Sequence, residues 1–141
     1  MWNGRRISSP VSSSPPPGHS DVHPPSDVRR AVDLVQERKA LDVAVLDLRG
    51  RSAATDYFLL GSGASDVQVR AIADHLIEEL KAGGLRPSHV EGLKEGRWVL
   101  VDYIDFVVHV FHSSVRDFYQ LETLWGDAPR RIYGEESSPD G

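Results

Sequence analysis

Asp102 and Asp105, in the stretch Asp102-Tyr103-Ile104-Asp105, are the residues whose spacing first suggests chemistry. Two carboxylates that converge on a pair of divalent ions can drive phosphoryl or nucleotidyl transfer. Nucleotidyl transferases place Gly-Ser at a helix start and the carboxylate pair on the very next strand. Here Gly61-Ser62 leads into a long helix, and the two aspartates follow only after that helix and a further loop. Their three-residue spacing also puts them on opposite faces of a continuing strand. The pair reads better as turn residues that satisfy local backbone donors. The Gly61-Ser62-Gly63-Ala64-Ser65 segment could hold a phosphate on backbone N–H groups. It lacks the P-loop lysine and the third dinucleotide-binding glycine, so a tight strand-to-helix turn is the better reading. His109 and His112 are close in sequence, but His109 alternates with apolar residues in a strand and reads as a satisfied, half-buried histidine, and no further metal ligands can be placed beside them. No serine sits in a nucleophile-elbow pattern. The sequence contains no cysteine, which excludes disulfides, thiol catalysis and Cys-ligated zinc. No catalytic residue, metal ligand or cofactor site is expected.

The elements around these residues are easier to read. Arg97–Tyr103 and Asp105–Phe111 are rich in Val, Trp, Phe and Tyr and predict two strands joined at Asp102–Asp105. Alternation sends Trp98 and Leu100 to one side and Val99, Val101 and Tyr103 to the other. Both sides are apolar, as in a strand that is central or covered on each face. Ser114-x-x-Asp117 predicts a capping box, and Val115, Phe118, Leu121 and Trp125 a helical stripe ending at Gly126. Upstream, Ser26 is expected to cap a helix running to Lys39, with Val28, Ala31, Val32 and Val35 on its apolar stripe. Strands follow at Asp42–Leu48 and Asp56–Gly61, with a loop at Arg49–Thr55. Ser65-x-x-Gln68 opens a helix to Lys81 that Gly83-Gly84 ends. Leu85–Val90 is a short strand, and Glu91–Gly96 a turn or mobile loop. This order implies an α/β fold, a single mixed β-sheet packed with helices.

Residues 1–25 are Ser/Pro-rich and are expected to be a disordered tail, residues 26–128 the domain, and residues 129–141 an irregular acidic C-terminal tail. The prolines argue against the amphipathic helix of an organelle transit peptide. No apolar run is long enough to span a bilayer. With 16 basic against 21 acidic residues the net charge is -5, the wrong sign for a broad nucleic-acid face and the right one for a basic protein partner. Asp42, Asp47 and Asp56 read as cap and turn residues; gathered at one sheet edge they could instead form an acidic docking rim. Trp98 reads as a core residue by itself, but beside Arg97, on a strand following a loop, it also fits an interface anchor.

Seven pieces occur in order: Asp47-x-Arg49, Asp56-Tyr57-Phe58, Ser65-x-x-Gln68-x-x-Ala71-Ile72, Glu91-Gly92, Arg97-Trp98-x-Leu100-x-Asp102-Tyr103, Val108-His109-x-Phe111, and Arg116-x-Phe118-Tyr119-x-Leu121-Glu122-x-Leu124-Trp125. Together they closely resemble the ribosomal silencing factor family, also called Iojap-like, over residues 27–128. The resemblance implies an α/β fold related to nucleotidyl transferases but without their catalytic residues. It implies a cytoplasmic protein that binds the large ribosomal subunit through ribosomal protein fourteen, blocks association with the small subunit and lowers translation. Organelle relatives look more like large-subunit assembly factors, which is the first alternative; an enzyme acting on nucleotides is the second. The partner surface of the family centres on the strand matching Arg97–Tyr103, so Trp98, Leu100, Asp102 and Tyr103, with Asp105, are the implied partner-binding residues. An exposed apolar strand face could also permit a homodimer. Two departures stand out. Ile104 occupies a turn position that is usually glycine, and Ser113-Ser114 one that is usually acidic. Isoleucine is strained at positive φ, so a different turn type is expected here.

Overall fold

The computed structural model describes residues 22–115 and 126–133. The described elements run α1 (Ser26–Glu37), β1 (Leu41–Asp47), β2 (Tyr57–Gly63), α2 (Asp66–Ala82), β3 (His89–Glu91), β4 (Trp98–Asp102), β5 (Phe106–His112) and β6 (Arg130–Tyr133). The strands form one mixed sheet in the order β3-β4-β5-β2-β1-β6. Every neighbouring pair is antiparallel except β2 and β5, which lie side by side in parallel at the centre. A parallel pair needs a long crossover, and α2, β3 and β4 together supply it.

Both helices cover the same face. α2 packs on β4, β5 and β2, and α1 on β2 and β1. Burial follows the period-two alternation of the strands. Val45, Leu59, Val99, Val101, Val108 and Val110 point to the helices and are fully buried. On the opposite face Leu46, Leu60 and Phe111 form a second cluster with Leu48 and Ala128. This two-sided burial is why β2 and β5 read as nearly continuous apolar runs.

Local chemistry sets the helix ends. Ser65 Oγ accepts from the Gln68 N–H at 3.1 Å, and Gln68 Oε1 accepts from the Ala64 N–H at 2.7 Å, one residue before the expected reciprocal partner. Gln68 Nε2 also donates to the Arg38 and Lys39 carbonyls, at 3.3 and 3.2 Å, fastening the end of α1 to the start of α2. Ser26, expected as the cap of α1, is instead its first residue. Pro25 holds the cap position without a side-chain bond.

Two expectations at the ends of the domain change. Val22, placed in the Ser/Pro-rich tail, is 1% exposed and packs in the main core, and its carbonyl accepts from Arg131 Nη1 at 3.4 Å. A single buried valine among prolines carries no periodic signal. Residues 130–133, expected to be irregular, are β6, paired antiparallel with β1 from Arg130↔Leu46 to Tyr133↔Val43. Two adjacent arginines hide so short an edge strand, although charge is how exposed edges avoid further pairing. The third predicted helix lies outside the described residues from Arg116 on; Ser113–Val115 form a turn.

The β4–β5 hairpin keeps positive φ where another turn type was expected: Ile104 sits at φ 74. The Asp105 N–H donates to the Tyr103 carbonyl at 2.9 Å, and the Tyr103 N–H to Phe106 O at 2.9 Å. This is a γ-turn in its strained, positive-φ form. Asp102 Oδ1 accepts from the Ile104 N–H at 2.7 Å and helps to hold it. The Ile104 side chain is 63% exposed, so burial offsets little of the strain. Positive φ costs a residue with a Cβ about 1–2 kcal/mol, and the added freedom of unfolded glycine returns about 0.5–1 kcal/mol of that. Ile104→Gly should therefore stabilise the domain by roughly 0.5–1 kcal/mol, read as a rise in the urea midpoint at constant slope.

Candidate functional site

The crossed register of the hairpin builds an aromatic surface on the sheet face away from the helices. Trp98 lies opposite Phe111, Leu100 opposite His109, and Asp102 opposite Val107. Leu60 and Phe58 of β2 extend the same rows, since they pair with His109 and Val107. The Trp98 ring rests on Phe111, with centroids 5.1 Å apart and planes tilted by 37°. His109 stands edge-on to Phe58 at 4.6 Å and 71°, an arrangement that suits aromatic quadrupoles. Phe111 is buried, while Trp98 at the outer end of the row is 46% exposed.

His109 is 4% exposed and holds the inner end of a hydrogen bond. Trp98 Nε1 donates to His109 Nδ1 at 3.1 Å. Indole is a donor only, so Nδ1 must be bare and the proton must sit on Nε2. Nε2 has no partner among the described residues. Burial pulls the imidazole from its ordinary 6.5 down to about 4, opposed only in part by the charge of Asp102. His109 is therefore neutral at physiological pH. The unfolded chain takes up this proton as pH falls past about 6.5, and the folded chain only near 4. Stability from this residue is complete above pH 6.5 and declines between those values by about 1.4 kcal/mol per pH unit. Moving from pH 7.5 to pH 5 should cost the domain about 2 kcal/mol through His109 alone. Urea unfolding at both pH values should show that share missing in His109→Leu.

The five expected partner-binding residues divide. Trp98, Leu100 and Asp102 do share one face, Trp98 exposed and the other two half-buried. Asp105 is exposed at the hairpin tip, where its carbonyl accepts from the Asp56 N–H at 3.0 Å. Tyr103 does not join them. It is 5% exposed, lies in the core on the helix side and stacks on Phe106 at 4.9 Å. Burial pushes its hydroxyl up to about 12. The same alternation that exposes Trp98 turns Tyr103 inward, so it supports the surface from behind.

The features that first suggested chemistry are occupied by structure. Gly61–Gly63 end β2, and three donors beyond them are in use: besides the Ala64 and Gln68 bonds, the Val69 N–H reaches Ser65 O at 2.9 Å. A Cβ on Gly63 would lie 3.0 Å from the Val69 nitrogen, so close helix–strand approach explains the glycine. His112 Nδ1 accepts from the Ser114 N–H at 3.1 Å, and His112 does not meet His109. Asp47 is bound by Arg49, which donates Nε to Oδ1 at 3.0 Å and Nη2 to Oδ2 at 2.7 Å. Those bonds hold its carboxyl below the usual range, and its charge is not offered to an edge rim. Among the described residues no three His, Asp or Glu side chains cluster as a metal site, and no helix is long and apolar enough to cross a membrane.

The Glu91–Gly96 segment, expected to be a turn or mobile loop, is fastened to the first turn of α2. Arg70 Nη1 donates to the Lys94 and Glu95 carbonyls at 3.3 and 3.4 Å while meeting Asp66 Oδ2 at 3.4 Å. Gly92 and Gly96 sit at φ 79 and 70. A Cβ on Gly92 would lie 2.0 Å from the Trp98 carbonyl oxygen. The loop thus sets where β4 begins and where Trp98 emerges. The paired glycines were the available signal; the Arg70 contact is long-range and leaves none.

A family model described as ribosomal silencing factor during starvation matches residues 21–140. The ribosomal silencing factor of Bacillus subtilis is 45% identical over 104 residues, covering 74% of this chain and 88% of that protein. A crystal structure of a Bacillus halodurans protein superposes with a TM-score of 0.66 at 41% identity, over 73% of this chain and 93% of the other. The mouse protein named for mitochondrial assembly of the ribosomal large subunit is 30% identical over 113 residues, covering 77% of this chain and 50% of its own length.

Proposed function

The chain belongs to the ribosomal silencing factor family, and from that premise we propose that it docks on the large ribosomal subunit in the cytoplasm and prevents the small subunit from joining. The observation that carries this reading is the half-exposed Trp98 on the sheet face away from the helices, seated on the buried Phe111. Trp is the residue most enriched among binding hot spots. Leu100 and Asp102 continue the contact strip, and Asp105 borders it at the hairpin tip. The proposed partner is ribosomal protein fourteen, a basic protein for which an acidic chain of net charge -5 is electrostatically suited.

The mechanism is bulk. A domain of about 100 residues has a radius of gyration near 13 Å. A standard interface buries about 800 Å² on each partner. Two subunits that meet closely cannot accommodate a body of that size between them, so affinity suffices and no reacting group is required. We assign the protein no catalytic step, and the relationship to nucleotidyl transferases is one of fold only. A second copy on the Trp98 face is the competing occupant, and sedimentation equilibrium distinguishes it.

Adding purified protein to separated subunits at association conditions should reduce the joined-particle peak in proportion to dose, with the protein travelling with the large subunit on a density gradient. Undisturbed joining at saturating dose overturns the reading. The mouse relative's name favours a second reading, an assembly role at the same surface. Depletion would then accumulate incomplete large subunits without changing how mature ones join.

A further inference from the structure

We infer that His109 is a positioning residue for docking: it holds the exposed Trp98 ring in its binding pose by accepting the indole N–H from inside the sheet. This rests on the docking reading above and goes beyond it.

The geometry separates the two roles. Trp98 is 46% exposed and His109 4%. His109 faces Leu100 and Leu60 across the strands, one diagonal step from Trp98, which faces Phe111. The imidazole is fixed on both sides, edge-on to Phe58 at 4.6 Å and nearly parallel to Phe111 at 6.0 Å and 13°. Its Nδ1 is thus a fixed acceptor, and the 3.1 Å bond selects one rotation of the indole above Phe111.

An apolar side chain would suit the fold better at this position. The surrounding residues are Leu60, Leu100, Phe58 and Phe111, and a buried imidazole with Nε2 unpartnered among the described residues carries a desolvation cost. One hydrogen bond to a half-exposed indole offsets only part of that cost. The gain falls instead on binding, because a side chain already ordered in the free protein does not lose its rotational freedom at the interface. The bond also demands a neutral ring, since an imidazolium has no lone pair to offer the indole.

The test compares the parent chain, His109→Leu and His109→Asn. Leucine fills similar space without an acceptor; asparagine places an oxygen where Nδ1 was. Affinity for purified large subunits is measured with urea stability at pH 7.5 and with solvent exchange of the Trp98 indole N–H by NMR. That signal is assigned by its loss in Trp98→Phe. In His109→Leu, affinity should fall about five- to tenfold and indole exchange should accelerate, with stability equal to or above the parent. His109→Asn should recover most of the affinity and the protection. The inference is overturned if His109→Leu binds as tightly as the parent with its indole equally protected, or if both variants lose affinity alike. Should Trp98→Ala bind like the parent, the docking reading fails instead, while indole exchange in His109→Leu still decides whether His109 holds the ring.

Discussion

Trp98→Ala should abolish co-migration with the large subunit while the domain stays folded. A truncated central aromatic typically costs an interface 2 kcal/mol or more, a loss of roughly thirtyfold or greater. The cost to the fold is smaller, because nearly half of the ring is already in water. What the fold loses is one side of the contact with Phe111 and the bond to His109, whose freed Nδ1 lies beneath the vacated space and can take a water in its place. Circular dichroism and the urea midpoint should therefore change little while binding disappears. Tyr103→Ala provides the contrast. Removing a buried aromatic costs about 3–5 kcal/mol, a large fraction of a small domain's stability. Any binding lost there would report unfolding. Binding retained in soluble, folded Trp98→Ala would remove that ring from the interface.

Gly92→Ala should be the most damaging single methyl in the loop region. The added Cβ would lie 2.0 Å from the Trp98 carbonyl oxygen and 3.1 Å from its carbon, both backbone atoms that no rotamer change can move. The residue is also at φ 79, where a Cβ is already disfavoured. Gly84→Ala separates the two causes: it has φ 96 but nothing within 4 Å of its Cβ. Gly84→Ala should cost about 1–2 kcal/mol from backbone conformation alone, and Gly92→Ala clearly more, about 3 kcal/mol or above once the clash is added. Because the displaced atoms belong to Trp98, subunit affinity should also fall under conditions where the variant is fully folded. Equal losses in the two variants would show that the close approach is relieved by a small shift of the loop.

These results bear on how far sequence alone reaches. The hairpin, both helices and the mixed sheet were legible because each rests on a local pattern: β-branched alternation in β4 and β5, the Ser65–Gln68 cap, and the glycines after α2. Trp98, Leu100 and Asp102 were legible as a group because strand alternation puts them on one side. Tyr103 entered by resemblance, and its side chain lies on the helix side, where alternation puts it. What escaped depends on distance along the chain. β6 exists only through its partner β1, Val22 is buried by a core built from later residues, and Arg70 orders a loop more than twenty residues downstream. His109 is intermediate. Its neighbours pointed to a half-buried, satisfied ring; it is instead fully buried with Nε2 unpartnered among the described residues, and the bond to Trp98 needs the cross-strand register, which no single strand encodes.

The placement of β6 has a consequence for biosynthesis. β1 is made early, yet its outer edge stays bare until residues 130–133 have been synthesised and have folded back. The parallel seam between β2 and β5 likewise waits for the whole crossover. Chains are translated at about 5–20 residues per second, so for several seconds a nascent copy carries an open strand edge that can recruit a chaperone or a neighbouring nascent chain. A protein proposed to restrain ribosomes thus cannot close its own sheet until one of them has made β6.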